Sequence, residues 1–172
     1  MPEALALEFE SATGDRLTFE WKPEAFAAVD PASPPAAPLW TLGGELDWDD
    51  LEAVRVLTAR LGDERVLGLV ALRPAGAGGH GEELVTGAVG DGTSFAQLED
   101  PLLSAEYGPD GRPRRVGLEV YPGDDGLALR IAGEARAVEA SESGGVRRVA
   151  AALELRGPHG TGAGALDILA PA

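Results

Sequence analysis

Apolar residues fall on every second position over long stretches of this chain. Leu5, Leu7 and Phe9 alternate with Ala6, Glu8 and Glu10, and Leu17, Phe19 and Trp21 alternate with Thr18 and Glu20. A period of two places one set of side chains on one face of an extended strand, which is the signature of a half-buried β-strand. Ala12-Thr13-Gly14-Asp15 separates the two runs and has turn chemistry, so residues 4–21 read as a hairpin with one wet face. Residues 30–38, Asp-Pro-Ala-Ser-Pro-Pro-Ala-Ala-Pro, form an extended connection, because proline fixes φ and donates no ladder hydrogen bond.

Residues 49–61 support two readings. Asp49 with Glu52 fits a capping box, Leu51, Val54, Leu57 and Leu61 lie near one helical face, and Gly62 follows, which together spell a short helix. Val54-Arg55-Val56-Leu57-Thr58 is rich in β-branched residues, which favours a turn at 49–52 and a strand from about 53. The β reading is preferred here. The turn Gly62-Asp63-Glu64-Arg65 then precedes the apolar run Val66 to Leu72.

Alternation returns downstream. Leu103, Ala105 and Tyr107 lead to the turn Gly108-Pro109-Asp110-Gly111, and Val116, Leu118 and Val120 follow it. Pro122 to Gly126 turns into Leu127, Leu129 and Ile131, and Ser141 to Gly145 turns into Val149, Ala151, Leu153 and Leu155. Gly157-Pro158-His159-Gly160 closes that strand before a last one holding Leu166 and Ile168. Short strands divided by Gly/Asp/Pro turns spell an all-β, antiparallel sandwich or barrel, with the main sheet over 53–169. At 172 residues the chain suits one domain over 1–172.

Composition narrows the function classes. The net charge of −15 repels phosphate backbones, which argues against nucleic acid as a partner. No apolar run approaches the roughly 18 residues of a membrane-spanning helix. Cysteine is absent, which removes disulfides, thiolate zinc sites and cysteine nucleophiles. Met1-Pro2-Glu3 opens without a basic or apolar region, so no secretory signal is expected and a cytoplasmic location is.

The candidate chemistry is sparse. His80 and His159 both precede glycine; with Glu82, Glu83 or the acids around Asp47 they could ligate a metal, but histidines in glycine turns are usually solvated, and no metal is expected. Glu45, Asp47, Asp49, Asp50 and Glu52 form an acidic cluster without the spacing of a calcium loop. The glycine runs at 76–81 and 160–164 carry no G-K-[ST], and no G-x-S-x-G elbow occurs, so no nucleotide or other cofactor is expected. Trp21, Trp40 and Trp48 pack a core in the commoner case and wall an apolar pocket in the other.

One resemblance covers about two-thirds of the chain. Leu46-Asp47-Trp48, a hairpin ending in Leu69-Val70-Ala71-Leu72-Arg73, His80-Gly81 before the strand Glu83 to Val89, and Glu106 to Arg115 leading into Val116-Gly117-Leu118 occur in that order. Arg156 to Gly164 then leads to the final strand. This order resembles the C-terminal half of the carotenoid hydratase-like (hydroxyneurosporene synthase-like) proteins, which are lipocalin-related, and the chain reads as a reduced form. The resemblance implies a lipocalin-like barrel or half-barrel around an apolar cavity, with a lipid or isoprenoid as ligand. It also implies an alternative, a hydratase or isomerase in which Asp47 or His80 supplies the acid that protonates a double bond. Trp48 and Tyr107, joined by Trp40 and Trp21, would then shape the cavity. A third reading is a non-catalytic structural domain, two half-barrels pairing as a homodimer.

Overall fold

The computed structural model describes residues 4–10, 14, 16–62, 64–76, 83–91, 93–121, 129–158 and 160–172. Its elements are β1 (Leu5–Glu10), β2 (Arg16–Trp21), α1 (Pro23–Ala27), β3 (Thr41–Gly43), β4 (Leu51–Arg60), β5 (Val66–Pro74), β6 (Leu84–Gly90), β7 (Phe95–Gln97), β8 (Glu99–Tyr107), β9 (Pro113–Tyr121), β10 (Leu129–Ser143), β11 (Val146–Gly157) and β12 (Gly160–Pro171). The described residues are all-β apart from α1. Residues 51–60 are a strand, preceded by a turn at 48–50, so the helical reading of 49–61 gives way to the β one.

β4 to β12 form one antiparallel sheet in the order β7-β6-β5-β4-β12-β11-β10-β9-β8. Neighbours in space are neighbours in sequence, except that the last strand pairs with the first, Leu166 opposite Leu57. The two outer strands, β7 and β8, are separated in sequence by Leu98 alone, whose N–H donates to Gly87 O of β6 at 2.9 Å. The segment 95–107 is therefore one kinked strand that leaves β6 and joins β9, with Asp100 at φ 42° marking the kink. An eight-stranded up-and-down barrel results, nearly closed, with an offset at Leu98.

The burial pattern explains which strands alternate clearly. Leu103, Val116, Leu118, Val120 and Ile131 point into the barrel from β8, β9 and β10, and their outward neighbours meet solvent or are only partly covered. β4 and β5 are buried on both faces: Leu57 and Leu69 face the interior, while Val54, Val56 and Val70 face an outer layer. Strands covered on both sides read as continuous apolar runs, which is why 53–60 lacked clean alternation.

The outer layer is a three-stranded sheet, β1-β2-β3, with α1 and the proline-rich connection. Leu5, Leu7, Phe19 and Trp21 lie against Val54, Val56 and Val70. The approach is close at Gly68, where an added Cβ would sit 2.5 Å from Leu5 Cδ2 and 3.3 Å from the Trp21 ring. Polar contacts fix the register between the layers. Trp21 Nε1 donates to Thr58 Oγ1 at 2.7 Å. Arg60 Nη1 donates to the carbonyls of Phe26, Ala27 and Val29, at and beyond the C-terminal end of α1, where carbonyls lack intrahelical partners. The connection at 30–38 is pinned to the barrel wall: Arg148 donates to Pro35 O and Ala36 O, both at 3.1 Å. Val29 meanwhile packs on Ala163 and Ala165.

Candidate functional site

The barrel interior is lined by aliphatic side chains that interlock across small residues. Leu153, opposite Gly164 in the ladder, is fully buried, and a Cβ on Gly164 would lie 3.4 to 3.5 Å from Leu155, Leu57 and Leu153. A barrel of eight strands is just wide enough for its own side chains to fill or for one small ligand.

The interior opens at the end where β4 meets β5 and β11 meets β12. There Leu61, Leu129, Ile131, Leu155 and Pro158 surround an apolar recess, with Gly62, Gly157, Gly160 and Gly162 on its rim and Arg65 at its edge. Its accessible volume is ≈ 20 Å³, room for about one water; counting the open mouth, the empty space is ≈ 320 Å³. Two of these glycines mark where two chain segments touch. A Cβ on Gly162 would collide with the carbonyl oxygen of Arg60, and one on Gly62 with that of Thr161. Gly162→Ala should therefore lower stability by about 2 kcal/mol, the cost of overpacking a fixed backbone contact, measurable by urea unfolding.

The opposite end of the interior is polar. Arg55 follows the inward-facing register of Leu57 and Ala59, is buried, and donates to Glu83 Oε1 and, at 3.1 Å, to Leu103 O. Thus the barrel has one greasy, open end and one end held by an internal ion pair.

Of the residues singled out from sequence, the three tryptophans gather in the layer outside the barrel, and none of them lines the recess. Trp21 and Trp40 are buried in the layer outside the barrel, Trp21 bonded to Thr58 and Trp40 Nε1 to Asp167 Oδ2 at 2.8 Å. Trp48 is partly buried against that same layer. Tyr107 is 51% exposed at the end of β8. Asp47 is exposed in the turn before β4, where its Oδ1 accepts the Asp49 N–H at 2.9 Å and its carbonyl accepts from Asp50 and Leu51. Its work there is to shape the turn. Asp47 precedes β4 while the recess follows it, so roughly 30 Å separates them, ten residues at about 3.3 Å each. His80 lies outside the described residues, as do His159 and Glu82. Among the described residues no group of three or more His, Asp or Glu side chains could hold a metal ion.

The recess was not foreseen because its residues sit at strand ends flanking glycine turns, where sequence shows only punctuation. The available signal was the coincidence of Leu61-Gly62, Leu129 and Gly157-Pro158 at the same end of an up-and-down meander.

One titratable group on the turn between β6 and β7, at the same end of the barrel, is strongly perturbed. Asp91 Oδ1 accepts hydrogen bonds from Thr93 Oγ1 at 2.7 Å, Thr93 N at 2.8 Å and Ser94 N at 3.1 Å. These donors favour the carboxylate, the Thr93 hydroxyl most, and hold its pKa down at about 2. A depressed folded pKa means that the turn's stabilisation is complete above the ordinary value of 3.8 and is lost as pH falls through about 2. Carboxyl NMR titration should place the Asp91 midpoint near 2, and Thr93→Ala should move it upward towards 3.8.

No protein-family model and no curated protein matches the chain. Among the described residues no helix is long and apolar enough to cross a membrane.

Proposed function

We propose that this chain is a binding module for a small apolar molecule, held at the open end of the barrel. The observation that carries this reading is the recess at the mouth of the nearly closed barrel, where Leu61 and Leu129 are left partly uncovered above the buried Ile131 and Leu155. Ligand sites favour barrel mouths and apolar linings. The small accessible volume sets what enters: a methyl-branched or chain terminus rather than a whole molecule, with the remainder lying over the glycine rim. A lipid or isoprenoid end has that shape, in keeping with the resemblance to the carotenoid hydratase-like family. Arg65 at the edge would face a polar group on the same ligand.

The test is native mass spectrometry with solvent extraction of the purified chain, followed by titration of an environment-sensitive apolar dye. A retained adduct and saturable dye binding, both lost in Leu129→Arg, are the expected results. Dye binding equal in both proteins, with no adduct in either, would sink the proposal.

A second reading is a non-catalytic structural domain, favoured by the tightly interlocked leucines and glycines at the barrel's centre. It expects no adduct under the same experiment. The pairing of half-barrels as a homodimer loses its motive, since β4 to β12 wrap around within one chain. Hydratase or isomerase chemistry would need an acid beside the apolar space; Asp47 stands near the other end of the barrel, and the described lining offers Arg65 as its ionisable group.

A further inference from the structure

Apart from the offset at Leu98, the wall of the barrel parts between β9 and β10. β9 and β10 pair from Leu129–Val120 to Glu134–Arg115. β10 then bulges at Arg136, between Ala135 and Ala137, and runs on to Ser143 with β11 on one side. Among the described residues no strand pairs with its other side over 135–143. Bulges of this kind bend a strand, end pairing and re-aim a side chain.

The parting leaves an open groove of ≈ 440 Å³ between the start of β9 and the middle of β10. Arg112, Arg114, Arg115 and Arg136 line it, with Asp110 and Glu134. On a chain of net charge −15, this is a concentrated positive surface. Its acids are already engaged. Asp110 Oδ1 accepts the Arg112 N–H at 3.1 Å, and Glu134 stands 3.8 Å from Arg136. Arg136 also reaches Glu154 at 3.1 Å, and Arg115 lies 4.0 Å from Glu106 with both side chains about three-quarters exposed. Arg114 is exposed and, among the described residues, has no ion-pair or hydrogen-bond partner.

The free edge is an acceptor for backbone. Arg112 Nη1 donates to Val138 O at 3.1 Å, which shows that this carbonyl faces the groove. Backbone groups alternate sides along a strand, so Ala140 and Glu142 face the same way.

We propose that this groove binds an extended acidic peptide, which adds as a strand along β10 and lays its carboxylates over Arg112, Arg114 and Arg115. The two halves of the proposal rest on separate observations, the unpaired strand edge and the arginine cluster. Strand addition supplies affinity through main-chain hydrogen bonds, and side-chain pockets or charges supply selectivity. Because Glu139 and Glu142 stand farther along the edge, the peptide's charges belong at its Ala135 end. Its backbone there takes over the Val138 carbonyl from Arg112 and frees that guanidinium for a carboxylate.

The experiment is fluorescence anisotropy of the full chain with a labelled ten-residue peptide in which glutamate alternates with valine over one half and threonine alternates with valine over the other. Saturable binding is expected, weakened about tenfold by Arg114→Glu with Arg115→Glu, and weakened by added salt. Arg114→Ala, a truncation of an exposed side chain, serves as the milder variant and should weaken binding by about threefold. A version of the peptide with alternate backbone nitrogens methylated should not bind. No saturable binding to the folded wild-type chain overturns the proposal. So does equal affinity of the methylated peptide, or full competition by inorganic pyrophosphate with no backbone dependence, since either reduces the groove to a bare anion site.

Discussion

Asp167→Ala should destabilise the fold by about 3 kcal/mol, the scale for removing one partner of a buried ion pair. The carboxylate sits on the outward face of β12 beneath the proline-rich connection. Its Oδ1 accepts from Arg148 Nη2 at 2.7 Å and Nε at 2.8 Å, and its Oδ2 accepts the Trp40 indole N–H at 2.8 Å. The side chains of Asp167 and Arg148 are only 4% and 14% exposed. Truncation leaves a nearly buried guanidinium and an indole N–H without their acceptor, and it loosens the arginine that pins Pro35 and Ala36. Burial pushes the Asp167 carboxyl above its ordinary value, against the opposing pull of Arg148 and Trp40. A raised folded pKa means that Asp167's titration contributes most below 3.8, the contribution falling as pH rises through the folded value. Asp167→Asn keeps an acceptor for Trp40 and should lose less than alanine. Its deficit relative to wild type should shrink as pH rises through that value. Urea unfolding at several pH values measures both; an alanine loss below about 1 kcal/mol would show that the outer layer does not depend on this pair.

Leu153→Ala should cost about 3 kcal/mol and turn the barrel from a filled one into a pocketed one. Leu153 is fully buried at the centre of the interior, facing Gly164 on β12 and Ala135 on β10, with Leu57 and Leu155 beside it. Glycine and alanine opposite it have no side-chain atoms to swing into the space, so the void should persist. Losses of roughly 2–5 kcal/mol for buried leucine track the cavity that remains. Apolar voids of this kind stay dry and take up small apolar molecules. The variant should therefore gain stability from benzene or xenon that the wild type does not, read as a shift in the unfolding midpoint. A variant that neither loses stability nor responds to benzene would mean that the interior collapses freely. The Leu129–Leu155 recess would then not be the fixed edge of a rigid core.

Much of this architecture is legible in the amino-acid sequence. Where one face of a strand is wet, as in Leu5–Glu10, Arg16–Trp21 and Pro113–Tyr121, a period of two names the buried side chains directly, since alternation is the geometry of a strand. The glycine and aspartate turns marked most of the strand ends for the same local reason. Where both faces are covered, the pattern disappears; Val54 to Ala59 is apolar throughout because the outer sheet lies on one side and the barrel interior on the other. Much of the outer covering comes from Leu5 to Trp21, more than thirty positions away, so no local window contains it. The five-residue α1 escaped notice for a related reason: too short to show a helical period, it persists because Phe26 is buried and Arg60, on another element, binds the carbonyls at its end.

The tryptophans mark the boundary between the two kinds of information. Their size guaranteed burial or a pocket wall, and sequence favoured burial; that Trp21 and Trp40 lie outside the barrel, tied to Thr58 and Asp167, follows from which face of β4 and β12 the first forty residues cover. The barrel's closure, its apolar mouth and the parted arginine groove likewise depend on which strand ends meet in space. Hydrophobic periodicity is a property of neighbours along the chain, and it specifies strands and turns. Pairing of β12 with β4 across more than a hundred residues, and the bulge at Arg136, come from contacts that form only once those strands assemble.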